Sequence, residues 1–153
     1  MKIIDYLSEN DILSHLQASS REGVIKEMVS HLKDTGKIED PEELVNILLD
    51  REVLGSTGIG HGVAIPHGRL GGLDEILLVF GRSPEGVDFD AHDGEPVKLF
   101  FLLVAPEDSA GLHLKTLARI SRIVKSPECR KALLDSDDRS ILYHTIEEED
   151  QRH

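Results

Sequence analysis

Two short apolar runs near the middle of the chain constrain its fold more than any other feature. Ile76–Phe80 and Leu99–Val104 contain no polar residue. A strand with one solvent-exposed face alternates apolar and polar residues, whereas an uninterrupted apolar run is typical of a strand buried on both faces. Each face must therefore be covered, and amphipathic helices packed on a central sheet provide such cover.

Helix signals lie on both sides of these runs. Before them, Ser19 and Glu22 form a capping box, and Asp40-Pro41 marks a second helix start. After them, Ser126-Pro127 and Ser136 are predicted to be further N-caps. The predicted order is two helices, several strands and then three helices, which differs from the strict alternation of a doubly wound fold.

Two weaker strand signals fall between these helices. Val63–Ile65 is predicted to be a short strand that leads directly to Pro66-His67, and Val87–Asp90 alternates as an exposed edge strand does. We expect a single-domain α/β protein over residues 1–153, a three-layer-like sandwich in which a mixed β-sheet is flanked by helices. The acidic run from about Glu147 is expected to be a fraying helix end or a short solvated tail.

The glycine-rich stretch Ser56–Arg69 ends in a histidine that lies between proline and glycine. Pro66 fixes its own φ angle and pushes Ile65 into an extended conformation. Gly68 carries no side chain, so another molecule can come close. Imidazole is neutral and nucleophilic near pH 7 and can form covalent intermediates. The pattern predicts that His67 carries a phosphoryl group.

Phosphoryl transfer also needs hydrogen-bond donors for the three charged oxygens of the group. The backbone N–H groups of Gly68 and Arg69 are candidates, and so are the hydroxyls of Ser56 and Thr57. The two hydroxyls are equally suited to pinning a turn, which is a common role for these residue types.

His113 and Arg51 are the candidate side groups of the site. His113 shares helical spacing with Leu117, so it faces inward, either to hydrogen-bond the phosphorylated imidazole or to act as a core histidine bonded to a carbonyl. Arg51 ends the second helix, where it either binds phosphoryl oxygens or caps the last carbonyls. Glu52 beside it is interpreted as a structural ion-pair partner.

Four segments in this order resemble the enzyme IIA components of the fructose/mannitol class (type 2) in the bacterial phosphotransferase system. These are Arg51-Glu52 with Leu54–Gly60, the stretch Ser56–Arg69 around the histidine, Asp93–Val97 followed by an apolar strand that ends at Pro106, and Gly111–Leu114. The resemblance covers roughly residues 5 to 147 and is closest to the nitrogen-regulatory subgroup of that class. It implies the same layered fold, with His67 as the phosphorylated histidine, His113 as the second histidine and Arg51 as the active-site arginine.

The resemblance also implies the partners. The donor would be a phosphohistidine on an HPr-type phosphocarrier protein, with phosphoenolpyruvate as the ultimate source, and no cofactor or metal is implied. The acceptor would be an enzyme IIB cysteine in sugar uptake or, in nitrogen regulation, a set of regulated target proteins. No fused IIB or membrane domain is evident in the sequence, which favours the regulatory type.

Charge and composition exclude several other classes. The formal net charge of −12 argues against nucleic acid or an anionic membrane as a partner, since both need a positive surface. The longest apolar run, Leu99–Ala105, is too short to cross a bilayer, and no signal peptide is evident. The single cysteine, Cys129, cannot form an internal disulfide, and a cytoplasmic location is therefore expected.

Two competing interpretations concern the same glycines and histidines. The glycines of Gly58–Gly62 match neither the Rossmann nor the Walker pattern, so a nucleotide loop is rejected. His61, His67 and His113 would be the ligands of a zinc hydrolase, although no H-x-x-x-H or H-E-x-x-H spacing supports it.

Overall fold

A six-stranded mixed sheet forms the centre of the protein, in a computed structural model that describes residues 1–153. The strand order is β1-β5-β6-β3-β2, and β4 pairs with β6 beyond the end of β3. Only the β5–β6 and β2–β3 pairs are antiparallel. The strands are β1 (Ile12–Leu13), β2 (Gly58–Gly60), β3 (Val63–Ala64), β4 (His67–Leu70), β5 (Leu77–Val87) and β6 (Val97–Pro106).

Five α-helices cover the sheet. They are α1 (Arg21–Asp34), α2 (Pro41–Val53), α3 (Ala110–Val124), α4 (Pro127–Asp135) and α5 (Arg139–Gln151). One buried cluster joins α1 and α2 to one face, and a second joins α3, α4, α5 and the N-terminal 3₁₀ turns to the other. The predicted α/β sandwich with a mixed sheet is therefore confirmed. None of the helices combines the length and the hydropathy that a bilayer-spanning segment requires.

The uninterrupted apolar runs divide their side chains between the two clusters. In β5, Leu77 and Val79 join the α1–α2 cluster, whereas Leu78 and Phe80 join the α3–α5 cluster. Successive side chains of a strand point to opposite faces, so an apolar residue is needed at every position. This is the physical reason why these runs predicted the layered fold correctly.

Strands β3 and β4 lie one after the other along the same edge of β6. Val63 is paired with Leu99, and His67 is paired with Leu103 four positions later. The ladder continues across the gap, because the Leu103 N–H donates to the Pro66 carbonyl at 2.9 Å. His67 therefore begins a strand of its own, whereas the sequence predicted only a strand that ended before it.

Three local predictions were wrong. The N-cap of α1 is Ser20, whose hydroxyl accepts the Gly23 N–H, and not Ser19. The N-cap of α5 is Asp138 and not Ser136, because the carboxylate accepts two backbone N–H groups of the first turn. The predicted edge strand over 87–90 ends at Val87, where β5 stops before the positive φ of Asp90.

The acidic C-terminal segment is the last turn of α5 and not a solvated tail. Asp150 is completely buried, and its Oδ1 accepts a hydrogen bond from Nε of Arg119 at 2.6 Å. Its Oδ2 accepts the N–H of Ile4 at 3.1 Å. A buried carboxylate needs such partners. The end of the chain is therefore bound to both α3 and the N-terminal 3₁₀ turn.

Gly68 allows α2 to pack closely on β4. A Cβ atom at this position would lie 2.9 Å from Cγ2 of Ile47. The sequence had assigned this space to a visiting molecule, but α2 of the same chain occupies it.

We expect Gly68→Ala to lower the free energy of unfolding by about 1–3 kcal/mol, because the added methyl group overpacks the α2–β4 contact. Urea denaturation measures the effect. Gly111→Ala is the matched control, since a Cβ there meets no atom within 4 Å and the position lies in a helix. That control should be neutral or slightly stabilising, and equal destabilisation by both substitutions would contradict the packing argument.

Candidate functional site

His67 is half-buried at the start of β4, with one ring nitrogen engaged. Its Nδ1 lies 2.7 Å from the carbonyl oxygen of Ile65. A carbonyl can only accept, so Nδ1 carries the proton in this contact. In the neutral ring, Nε2 then holds the free lone pair. Nε2 is therefore the ring nitrogen that is free to accept a bond.

The pKa of His67 is lowered from its ordinary value, principally because burial disfavours the charged imidazolium. The Ile65 carbonyl opposes this shift, the positive charge of Arg51 adds to it, and the negative charge of Glu52 opposes it. The net result is a ring that stays neutral, and therefore nucleophilic, below the pH at which a free histidine becomes protonated.

His113 lies beside His67, in the first turns of α3. The two ring centroids are 5.4 Å apart, and the ring planes meet at 75°. Its pKa is lowered by burial and by the neighbouring charges of His67 and Arg69. Its Nε2 atom is buried and has no hydrogen-bond partner. The alternative of a core histidine bonded to a carbonyl through Nε2 is therefore not what the structure shows.

Two arginines approach the site from different elements. Nη1 of Arg51 donates to the carbonyl of Gly55 at 2.8 Å, which lies just beyond the end of α2 and is not one of the helix's own last carbonyls. Its charge also reaches His67, where it lowers the pKa of the imidazole. Arg69 lies two residues after His67 in β4, so the two side chains share one face of the strand. The backbone N–H groups of Gly68 and Arg69 stay predictions as phosphate contacts.

The hydroxyls of Ser56 and Thr57 hold the turn before β2. Ser56 donates to the Phe89 carbonyl at 2.6 Å and accepts the N–H of Gly58. The Thr57 hydroxyl donates to the carboxylate of Glu52. Both hydroxyl hydrogens are thus already engaged, which favours the structural interpretation of these residues over phosphate contact.

The zinc interpretation fails on geometry. No group of three or more histidine, cysteine, aspartate or glutamate side chains is placed to hold a metal ion. His61 is exposed at the tip of the β2–β3 hairpin with a φ of 57°. Its N–H donates to the Asp93 carboxylate at 3.0 Å. The histidine thus serves a hairpin turn, and it does not complete a ligand set with His67 and His113.

Cys129 is excluded as a nucleophile by its environment. The thiol lies in the α3–α5 cluster, where burial raises its pKa to about 12. A thiol is reactive only as the thiolate. This agrees with its interpretation as a small core residue.

Exposed apolar side chains flank the site, and the sequence analysis did not single them out. Val53 and Leu54, which follow Arg51-Glu52, are 82% and 83% exposed, and Leu114, next to His113, is 67% exposed. We call these three residues the apolar rim. Val53 and Leu114 lie outside the buried stripes of α2 and α3, which is the sequence signal that could have identified them as exposed.

Comparison with known proteins gives consistent matches along the chain. The sequence model of the family "Phosphoenolpyruvate-dependent sugar phosphotransferase system, EIIA 2" matches residues 5–149. The chain is 39% identical to a nitrogen regulatory protein of Bradyrhizobium diazoefficiens, over 95% of each chain. It is 36% identical to the fructose-specific EIIABC component of Bacillus subtilis, with 99% of this chain aligned, but it spans only 24% of that longer protein.

Solved structures match the fold in the same way. The nitrogen regulatory protein IIA-Ntr of Neisseria meningitidis superposes with a TM-score of 0.86 at 32% identity, covering 93% of this chain and 97% of that one. Enzyme IIA-mannitol of Escherichia coli, in its complex with phosphorylated enzyme IIB-mannitol, superposes with a TM-score of 0.77 at 22% identity, covering 93% and 97%. At that identity the second match concerns the fold alone.

Proposed function

The chain belongs to the EIIA 2 family of the phosphoenolpyruvate-dependent sugar phosphotransferase system, and from this membership we propose that His67 is its phosphoryl acceptor. As a member it is a phosphocarrier of that system. In the proposed step, the Nε2 lone pair of His67 forms a bond to phosphorus. The bond from phosphorus to the donor histidine breaks, and its electron pair stays on the donor's nitrogen.

The contact between Nδ1 of His67 and the Ile65 carbonyl supports this proposal most directly. It holds the proton on the nitrogen that does not attack, at 2.7 Å from its acceptor. When Nε2 becomes phosphorylated, the ring gains positive character, and the carbonyl dipole stabilises that charge. The same bond therefore serves both the nucleophile and the product.

His113 and Arg51 are the proposed partners of the phosphoryl oxygens. The buried Nε2 of His113 lacks a partner, and a protonated Nε2 would donate to an oxygen placed on the neighbouring imidazole. His113 also lies near the N-terminus of α3, where the helix dipole favours negative charge. Arg51 supplies a permanent positive charge on the α2 side.

The apolar rim is proposed to dock the partner proteins. An HPr-type phosphocarrier is the proposed donor, and a cytoplasmic location follows if that donor is correct. Large exposed apolar side chains beside a reactive group are typical of a protein-binding surface. The rim residues are sequence neighbours of Arg51-Glu52 and of His113, so we expect a protein docked on them to cover His67 and exclude water.

Two acceptors are proposed. The long match to nitrogen regulatory proteins favours regulated target proteins, whose binding would change when His67 gains roughly 1.5 to 2 negative charges. The match to the fructose-specific EIIABC component favours onward transfer to an enzyme IIB cysteine. Only transfer to an enzyme IIB cysteine removes the phosphoryl group from the phosphorylated chain.

The test is reconstitution with phosphoenolpyruvate, enzyme I and an HPr-type carrier, followed by mass measurement of the intact chain. We expect one phosphoryl group per chain, and we expect none when HPr is omitted. Addition of an enzyme IIB domain then separates the two acceptors. Absence of label with an active donor would contradict the proposed function.

We expect His113→Ala to slow phosphoryl transfer by about 10²-fold, because one donor to the developing charge is lost. The rate is measured by quenched-flow labelling from phosphorylated HPr. His92→Ala, an exposed histidine outside the site, is the control and should match the unmodified chain. A wild-type rate of phosphoryl transfer in His113→Ala would show that His113 has only a structural role.

A further inference from the structure

We propose that Glu52 is a positioning residue that acts through Thr57 and Ile65 to orient the imidazole of His67. The inference rests on the proposed function of His67 and names a further residue for the same reaction. The carboxylate of Glu52 makes no hydrogen bond to the imidazole, so it acts on the ring through the segment between them and through its charge.

The carboxylate of Glu52 lies at an unfavourable place for a negative charge. It is buried, with 4% of the residue exposed, and it belongs to the last turn of α2, where the helix dipole opposes an anion. The nearest cation is Nη1 of Arg21 at 4.0 Å, which is longer than a hydrogen bond. The ion pair predicted for Glu52 is therefore formed with Arg21 only at the longest separation that counts as an ion pair. It does not explain why the Glu52 carboxylate is buried.

The two oxygens of Glu52 are used instead to hold one residue. Oε1 accepts the backbone N–H of Thr57 at 3.1 Å, and Oε2 accepts the hydroxyl of the same residue. Both donors of Thr57 are thereby fixed by one carboxylate. Hydrogen bonds to an ionised acceptor are roughly twice as strong as those between neutral groups.

The fixed Thr57 holds Ile65, and Ile65 holds His67. The Thr57 carbonyl accepts the N–H of Ile65 at 3.0 Å, and the Ile65 carbonyl accepts Nδ1–H of His67 at 2.7 Å. Ile65 lies in the gap between β3 and β4, outside both strands. Its orientation consequently depends on Thr57 at one end and on Pro66, whose φ is fixed, at the other.

The charge of Glu52 acts on the same ring. It raises the pKa of His67 against the lowering by burial and by Arg51. His113 of α3 also lies beside the ring, and the charge of Arg69 in β4 acts on His113. Glu52 is therefore the negative group that keeps Nε2 basic, and no proton needs to move along the hydrogen bonds.

The first experiment uses the unphosphorylated protein, labelled with ¹⁵N-histidine, and follows ring nitrogen shifts against pH. In Glu52→Gln we expect the pKa of His67 to fall below its wild-type value, and the fraction of ring protonated on Nδ1 to decrease. Asp50→Asn is the matched control, because it removes the same charge from an exposed position in the same helix. Equal His67 titration in both variants would overturn the proposal.

The second experiment separates the hydrogen bond from the charge. Thr57→Val removes the hydroxyl without changing the size of the side chain, and Thr57→Ser retains the hydroxyl. We expect the loss of Nδ1 protonation in Thr57→Val and its recovery in Thr57→Ser. A merely structural role would instead give equal thermal destabilisation with unchanged ring nitrogens, which would also overturn the proposal.

The third readout is kinetic. We expect Glu52→Gln to lower kcat for phosphoryl acceptance about tenfold, because orientation and basicity are lost, while KM for phosphorylated HPr stays the same. A raised KM with unchanged kcat would overturn the positioning role. The two proposals can fail separately. If the His67 ring of the wild-type protein is protonated on Nε2, the choice of Nε2 as the nucleophile is wrong. If the wild-type ring is protonated on Nδ1 and does not change in Glu52→Gln, only the positioning role of Glu52 is wrong.

Discussion

Replacement of His67 by glutamine is expected to abolish phosphorylation of the chain and to leave its fold intact. Removing a catalytic nucleophile costs on the order of 10⁶-fold in rate, which is below detection in a labelling assay. The ring is half-buried, and its one hydrogen bond goes to a backbone carbonyl, so glutamine replaces it without leaving a large cavity. The measurement is intact mass after incubation with phosphoenolpyruvate, enzyme I and HPr.

The control is His92→Gln, which changes an exposed histidine outside the site. It should be labelled at the wild-type rate, and the circular dichroism of both variants should match the unmodified chain. Stoichiometric label on another histidine in the His67→Gln protein would show that the acceptor was assigned wrongly.

The second large effect is expected at Asp150. Substitution by alanine leaves Arg119 buried and charged without its carboxylate, and it also removes the acceptor of the Ile4 N–H. Breaking a buried ion pair in this way costs about 3–5 kcal/mol. In a chain of this size that corresponds to a fall in Tm of roughly 6–20 °C, measured by scanning calorimetry.

Glu148→Ala is the matched control, because Glu148 is exposed in the same turn of α5. It should change stability by no more than about 0.5 kcal/mol. The double substitution Arg119→Met with Asp150→Leu should recover the part of the loss that comes from the unpaired charge of Arg119, since it replaces a charged pair with apolar groups of similar volume, while the Ile4 N–H stays without its acceptor. Equal losses for Asp150→Ala and Glu148→Ala would contradict the importance of this pair.

The fold followed from the sequence because its strongest signals were local and redundant. Every position of the central runs is apolar, so their burial on two faces did not depend on exact boundaries. The cap predictions at Ser19 and Ser136 failed because several capping residues lie within two positions of each helix start, and only the backbone geometry selects among them.

The site was predicted less completely because its supporting contacts span elements. The sequence identified His67 and His113 as a candidate pair, and they lie 46 residues apart (113 − 67) with adjacent rings. No periodicity reveals that Glu52 receives both donors of Thr57, since the contact crosses the end of a helix. Asp150 seemed solvated for a related reason, because its partner Arg119 lies in another helix.

The gap between β3 and β4 acts as a spacer of fixed length. Two residues, Ile65 and Pro66, separate strands that share one edge of β6, and they set which face each later side chain occupies. One inserted or deleted residue would turn His67 towards α2 and Gly68 towards α3, because strand side chains alternate. The number of residues in this connection therefore decides which layer of helices His67 faces.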